Sequence, residues 1–351
     1  MRFPEPAERG PARPEPDGIE RHTRVTVIIP ARNAEKLIGR SVRAVLEQQI
    51  APPIDLEVTV VDDGSTDGTA AVARSAGARI ISIPADETSG NPAAARNRGA
   101  ARADGDLLVF LDADCTPLEG WLEALVGPLL ANKSDCAGGS LDLPDGLPLS
   151  ARLDYYCGWY HVHPRRPAGP VANHPPSNLC VRRSALAATS GFTERAPVAY
   201  SHEELQWQAE LQSAGGRIIF EPGAVALHWN RRGFSNLLRR NYRWGYGSIE
   251  AKAESRAVRL AGLYRHPWLL IGLSLLLSVP LSAYVVACWL RAGVYEPLFL
   301  LPGVLAGQLA YAAGMAAGGL RWLRQRRTAH QLPLGVAPSP KNEKVHESEA
   351  R

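Results

Sequence analysis

Four short runs rich in β-branched and apolar residues, Val25–Ile29, Glu57–Val61, Arg79–Ile83 and Leu107–Leu111, recur along the first third of the chain with helical periodicity between them. Ile38, Val42, Val45 and Leu46 mark one face of the first intervening helix. A second helix is expected from Thr66 to Ala76, stopped by Gly77, and a third from Ala93 to Ala103. Strands that alternate with helices predict an α/β fold with a mostly parallel sheet, because each crossover lays a helix against a sheet face. Ligands of such sheets sit beyond the carboxyl ends of the strands. Two acidic clusters fall there: Asp62-Asp63 directly after the second run, and Asp112-Ala113-Asp114 directly after the fourth.

From Leu141 to Pro176 the sequence reads as irregular, with many Pro, Gly, Tyr and His residues. His161, His163 and His174 in this stretch lack the spacing of a zinc site and read at best as residues of an acceptor loop. A strand and short helix are expected over Ser177–Gly191, a helix over Glu203–Ala214, and two final strands at Arg217–Phe220 and Ala224–Leu227. The first 24 residues carry no apolar core of a signal peptide, and they and the polar tail from Gln331 to Arg351 are expected to be disordered. Five widely spaced cysteines with no C-x-x-C pair argue against a disulfide framework or a zinc site.

The average composition conceals an apolar C-terminal region. Trp268–Leu290 and Leu298–Leu320 contain no charged residue, and each exceeds the roughly 20 helical residues that cross a hydrocarbon core. Buried core helices are the alternative, but helices of that length in globular domains normally keep a polar face. Gly303, Gly307, Gly314 and Gly318 have the spacing that lets two backbones approach closely, so a transmembrane hairpin is expected. Arg256, Arg259 and Arg265 precede it and Arg321, Arg324, Arg326 and Arg327 follow it, which predicts a multi-pass protein of the cell membrane with both chain ends cytoplasmic. The basic, aromatic segment Arg231–Arg265 suits a collar at an anionic lipid surface. No nucleic-acid motif accompanies it, so nucleic acid is not an expected partner.

Asp112 and Asp114 at a strand end face one crevice, where like charges repel unless a cation balances them. Mg²⁺ or Mn²⁺ takes one or two carboxylates together with substrate phosphates, so this pair predicts a divalent metal and a diphosphate ligand. An isolated Asp-x-Asp would be solvated charge; its position after an apolar strand, matched by a second acidic pair, gives it weight. Asp62 to Ser65 is also good turn and capping chemistry, and both readings can hold.

Six motifs in order carry a resemblance over Val25 to about Ser248: Val27-Ile-Ile-Pro-Ala-Arg-Asn33, Val61-Asp-Asp-Gly-Ser-Thr-Asp67, Ala95-Arg-Asn-Arg-Gly99, Leu111-Asp-Ala-Asp114, Ser177-Asn-Leu-Cys-Val-Arg-Arg183 with Gly191-Phe192, and Glu203-Glu204. Together they resemble the family 2 nucleotide-diphospho-sugar glycosyltransferases of the GT-A fold. The resemblance implies a Rossmann-like catalytic domain over residues 25–230, an interfacial segment over 231–266, the two-helix hairpin over 267–320 and a cytoplasmic tail. It implies that Pro30, Ala31, Asn33, Asp62 and Asp63 line the nucleotide pocket, that Arg96 meets the diphosphate or donor sugar, and that Asp112 sits near ribose and metal. Asp114 would bind the metal directly, with His228 as a candidate to complete its shell, while Asn178 and Arg183 are candidates for the acceptor side. Glu203 or Glu204 would be the base that deprotonates the acceptor; the sequence leaves the choice open, having Glu where the family more often has Asp. The implied activity is an inverting, metal-dependent transfer from a UDP-, GDP- or dTDP-sugar to a hydroxyl or phosphate acceptor, a lipid-linked or cell-envelope glycan. A nucleotidyltransferase is the alternative enzyme class, but the chain has Pro-Ala-Arg-Asn where that class opens with a Gly-rich phosphate loop. A catalytically inactive membrane adaptor of the same fold is the remaining alternative.

Overall fold

The computed structural model describes residues 23–49, 54–84, 90–230, 232–255, 261–264 and 266–331. The expectations of disorder before residue 23 and after residue 331 lie outside the described residues, as do Arg231, Arg256, Arg259 and Arg265.

The expected alternation is present. β1 (Thr23–Ala31), α1 (Glu35–Leu46), β2 (Ile54–Asp63), α2 (Thr69–Ser75), β3 (Arg79–Ile83), α3 (Pro92–Ala101) and β4 (Leu107–Leu111) follow one another. β1 pairs in parallel with β2 on one side and with β4 on the other, placing Ala31, Asp62 and Leu111 at one edge. Because the chain winds outward from β1 to β3 and then returns to place β4 on the opposite flank, a crevice opens at that edge. Val27, Ile29, Val109 and Leu111 are buried toward one face, and Ile28, Val61, Leu108 and Phe110 toward the other.

Beyond β4 the sheet becomes mixed. β5 (Cys115–Pro117), α4 (Trp121–Leu130), β6 (Cys136–Asp142), α5 (Leu149–Gly158), β7 (Gly169–Pro170), β8 (Asn178–Arg182), α6 (Arg183–Ala187), α7 (Leu205–Ser213) and β9 (Ile218–His228) complete the domain. The nine strands lie in the order β3-β2-β1-β4-β8-β6-β9-β5, with β7 on β9, and β8 runs antiparallel to β4. The two expected final strands form one strand, β9, which absorbs Pro222 and Gly223 at a register shift against Gly139 and Ser140 of β6. α5 lies inside the stretch read as irregular. It is buried at Ala151, Leu153, Asp154, Tyr155, Tyr156 and Cys157, so it has no apolar stripe to betray it.

Three long helices follow: α8 (Phe234–Glu254), α9 (Pro267–Arg291) and α10 (Leu301–Gln331). Among the described residues only α9 is long and apolar enough to cross a membrane. It exposes Leu275, Leu276 and Val279 at 57%, 71% and 61%, and buries Ser274, Ser278 and Ser282. Their hydroxyls return to carbonyls of the preceding turn, which satisfies them within the helix. α10 replaces the second expected span but is diluted by alanine and glycine, and packs between α8 and α9. The four glycines expected to serve the hairpin face α8 and α5 instead. A Cβ at Gly314 or Gly318 would overlap the carbonyl oxygens of Tyr242 or Tyr246 on α8, and one at Gly303 or Gly307 would meet Leu153 or Cys157 on α5. Gly314→Val is therefore expected to lower stability by about 3 kcal/mol, as overpacking against backbone does. Thermal unfolding in detergent checks this; an unchanged midpoint would refute the close packing.

Candidate active site

The crevice at the ends of β1, β2 and β4 widens into an open cleft of about 2370 Å³, roofed by α8 and bounded at its far end by α9 and α10. Pro30, Ala31, Asn33, Asp63, Arg96, Asp112, Asp114, Glu203, Glu204 and His228 all line it. Ten of the thirteen residues expected from sequence thus converge.

The nucleotide end is built by two loops stapled together. Asn33 adopts a left-handed backbone (φ 51°), a conformation Asn tolerates. Its Oδ1 accepts the Thr66 amide at 2.9 Å, and the Ser65 hydroxyl accepts the Asn33 amide at 3.0 Å. Asn33 thus shapes the loop with the same amide expected to meet nucleotide. Asp62 turns away to accept the Ser65 amide at 3.2 Å, the turn reading anticipated from Asp-Gly-Ser, while Asp63 faces the cleft.

Arg96 joins distant motifs. It projects from α3 and is 4% exposed, with Nη2 donating to Asp112 at 2.7 Å and Nη1 to Glu203 at 2.6 Å. Burial opposes its charge, but Asp112 and Glu203 outweigh that and hold its pKa above the usual value. Both ends of its guanidinium are thus engaged by carboxylates rather than free for a diphosphate. Burial raises the Glu203 carboxyl while Arg96 opposes the rise. Burial and the neighbouring Glu203 charge raise the Glu204 carboxyl well above the ordinary range. Arg96→Met would leave Glu203 buried with no cation and is expected to cost about 3 kcal/mol of stability. Urea unfolding measures it, and a loss below about 0.5 kcal/mol would contradict the pairing.

At the other end of the Asp-x-Asp, β5 pairs antiparallel with β9 so that Cys115 lies opposite His228. This register brings His228 Nε2 to 3.7 Å from Asp114 Oδ1, and the Trp229 amide donates to the Asp114 carbonyl at 2.8 Å. A chain of buried polar groups stands behind the histidine. Asn230 Nδ2 donates to Asp154 Oδ2 at 2.8 Å, so its Oδ1 faces His228 Nδ1, also at 2.8 Å. An amide oxygen only accepts, so Nδ1 carries a proton and Nε2 is the ring nitrogen that faces Asp114. Asp154 is in turn paired with Arg240 of α8 at 2.7 Å. The neighbouring Cys115 thiol is pushed far up by burial, stays protonated and offers nothing to a hard cation. Asn230, Asp154 and Arg240 were not foreseen; the sole local signal is an amide two residues after the histidine.

Two expected residues lie elsewhere. Asn178 is fully buried beneath the cleft, where Nδ2 donates to the carbonyls of Ser140 and Ala224 and Oδ1 accepts the Trp121 indole N–H. It locks β8, β6 and α4 together rather than meeting an acceptor. Arg183 is exposed at the opposite end of β4, its amide bonded to the Asp106 carbonyl. The antiparallel course of β8 causes this, since five residues carry the chain from the cleft edge to the far edge. His163 and His174 are likewise buried, His163 against Trp289, while His161 lines the cleft.

Comparison with known proteins agrees with this arrangement. Residues 26–188 match the family described as Glycosyl transferase family 2. The chain is 30% identical over 256 residues to glycosyltransferase AglE of Haloferax volcanii, covering 71% of this chain and 80% of that one. It is 31% identical over 231 residues to the pre-mycofactocin glycosyltransferase of Mycobacterium tuberculosis, covering 63% of this chain but only 46% of that relative. Among solved structures, the mannosyltransferase PcManGT from Pyrobaculum calidifontis, in complex with GDP-Man and Mn²⁺, superposes with a TM-score of 0.55 at 22% identity over 86% of this chain and 88% of that one. The last likeness shows the fold, and the AglE match over most of both chains shows the family. The chain belongs to glycosyl transferase family 2 and is a glycosyltransferase of the GT-A fold.

Proposed function

We propose that the protein transfers a sugar, with inversion, from a nucleoside diphosphate donor to an acceptor hydroxyl at a membrane surface, with Glu204 as the base. The observation that supports this reading is the Asp112–Arg96–Glu203 bridge, which ties the residue next to Glu204 to the Asp-x-Asp motif across the cleft. Glu203 is consumed by Arg96, whereas no ion pair holds Glu204 among the described residues, although it is only 7% exposed. A carboxylate of that kind, with raised proton affinity, suits general base catalysis. Glu204 takes the acceptor proton as the acceptor oxygen attacks the anomeric carbon, and the nucleoside diphosphate departs on the opposite face.

A divalent cation fits the donor set. A carboxylate oxygen and an imidazole nitrogen 3.7 Å apart can both reach one ion about 2 Å from each, and Asn230 has already fixed the histidine tautomer for it. Asp114 and His228 would hold it, with Asp112 alongside; Mn²⁺ is favoured by the oxygen and nitrogen donors, with Mg²⁺ the other choice. Bound there, the ion would supply positive charge to the departing diphosphate. Asp63 would accept a hydrogen bond from the base, and Pro30 and Ala31 would line its pocket. Asn230→Leu is expected to weaken Mn²⁺ binding about 10–100-fold, while Asn230→Asp retains it. Titration of Mn²⁺ by electron paramagnetic resonance reads this directly, and equal affinity in all three proteins would remove Asn230 from the site.

The apolar outer face of α9 supports a membrane location; α10 would lie beside it, and the arginines flanking the two helices would put the cleft on the cytoplasmic side. Residues 25–230 would then form the catalytic domain, and α8 the segment at the interface. A screen of UDP-, GDP- and dTDP-sugars with Mn²⁺ or Mg²⁺, on membranes containing the protein, tests the whole reading. Product anomeric configuration by NMR tests inversion. If none of the donors is bound or hydrolysed under either metal, the transfer reading fails and a non-catalytic role takes its place.

A further inference from the structure

α9 has the apolar run of a membrane span, yet both of its ends are fastened to the catalytic body. At its C-terminal end Trp289, 1% exposed, donates its indole N–H to the Tyr156 carbonyl of α5 at 3.0 Å and packs on the rings of Tyr155, Tyr156 and His163. Just beyond, the carbonyls of Ala292 and Gly293 accept from Arg165 at 3.3 and 3.2 Å. Glu296, in the link to α10, pairs with Arg152 and accepts the Tyr156 hydroxyl at 2.7 Å. At the N-terminal end of α9, Leu270 and Ile271 pack with Ile249 of α8 and with Met315 and Trp322 of α10.

α8 is at that point itself part of the body. Glu250 and Glu254 both pair with Arg195 at 2.6 Å, and Ala251 is buried with Val198 and Leu205. Further back, Arg240 holds Asp154 of α5. α10 follows α8 along its length, from Gly307 beside Asn241 to Gly318 against Tyr246. Lys252 of α8 donates to the Tyr311 hydroxyl of α10 at 3.1 Å, and Arg321 of α10 pairs with Glu250. The middle of α9 is no further away, since Leu277, Pro280 and Leu281 line the catalytic cleft.

A helix of 25 residues is about 37 Å long, more than the roughly 30 Å of a hydrocarbon core. Were α9 to cross, its ends would emerge on opposite sides. The body fastened to both would then stand in the hydrocarbon, with Arg152, Asp154 and Arg165 inside it, where charged groups are costly. We propose that the C-terminal helices do not cross the membrane: α9 lies along its surface, seated in one leaflet by Trp268, Leu275, Leu276 and Val279, with both ends on the side of the catalytic cleft. A helix lying in the surface normally turns a polar face to water. α9 has none because its inner face is taken up by α10 and the cleft wall. Exposed arginines stand at both ends of this surface. Arg291 closes α9, while Arg324 and Arg326 follow Trp322, which packs on Leu270 at the start of α9. There they would meet anionic headgroups. The inference deepens the membrane location proposed above and rests on it. It replaces the transmembrane hairpin expected from sequence and leaves the cleft on the cytoplasmic side.

Labelling of single cysteines with an impermeant maleimide, in sealed inside-out vesicles from cells expressing the full chain, tests the topology. Cys288→Ser removes the only native thiol that is not buried. In that background Tyr295→Cys, in the link between α9 and α10 and 64% exposed, is expected to label to the same extent as Lys133→Cys on the catalytic domain. Labelling of Tyr295→Cys only after the vesicles are opened would put the link on the far side and overturn the proposal. Depth gives an independent reading, through a spin label at Val279→Cys midway along α9, by electron paramagnetic resonance. The label is expected about 5–10 Å below the phosphates for a helix in the surface, against about 15 Å for one that crosses. The greater depth also overturns the proposal. A label at Val279→Cys that senses water, or that couples to the label of a second copy, counts against the membrane location itself, and the inference falls with it.

Discussion

Asp114→Asn is expected to reduce sugar transfer on the order of 10³-fold, the several kcal/mol that a metal ion contributes against leaving-group charge. The substitution keeps the shape of the side chain and leaves its backbone carbonyl bonded to the Trp229 amide, so the fold should survive. What it removes is the negative charge 3.7 Å from His228 Nε2. Mn²⁺ affinity should fall with activity, and raising the metal concentration should recover part of the rate. Transfer within about threefold of wild type at saturating donor would show that the ion is held elsewhere or is not needed.

Glu204→Gln is expected to lower kcat by about 10²–10⁴, the contribution of a positioned general base, with donor binding unchanged. The pH dependence sharpens the test. A base works deprotonated, so the wild-type rate should fall as pH drops through the raised Glu204 pKa, an acidic limb above the usual 4.5 of a glutamate. That limb should be missing from the residual activity of the variant. Stability should respond in the opposite sense. A carboxyl whose pKa is raised on folding favours the folded state when protonated, and that advantage is lost as pH rises through the folded-state value. At neutral pH Glu204→Gln, which carries no charge to bury, should therefore be at least as stable as the wild type. A variant that is inactive because it is unfolded would fail this control, and Glu203→Gln should behave differently by disturbing Arg96.

The parallel half of the sheet could be read from the chain because β1, β2 and β4 are buried on both faces and write continuous apolar runs, each followed at once by its functional residues. Local order suffices there. The rest depends on pairings that join remote residues. Nothing near Arg96 announces Glu203, 107 positions away. His228 approaches Asp114 only because β5 pairs with β9. Asn178 and Arg183 were misplaced for a related reason: five residues of one strand link the two ends of a sheet, so a motif can begin at the cleft and finish far from it. The glycine spacing of α10 correctly announced close contact, but spacing cannot say with what. The partners of Gly303, Gly307, Gly314 and Gly318 proved to be α5 and α8 rather than the neighbouring apolar helix.

That packing bears on how such a protein is handled. Apolar C-terminal helices are the first parts trimmed to obtain a water-soluble enzyme, on the assumption that they only tether it. Here α10 grips α8 backbone to backbone, and α8 carries Arg240, which holds Asp154, as well as Lys252. A version ending after β9 would keep every carboxylate of the reaction centre and lose one side of the vessel in which they work. Its behaviour would describe a donor hydrolase with an open flank, and its acceptor preferences would say little about the intact protein.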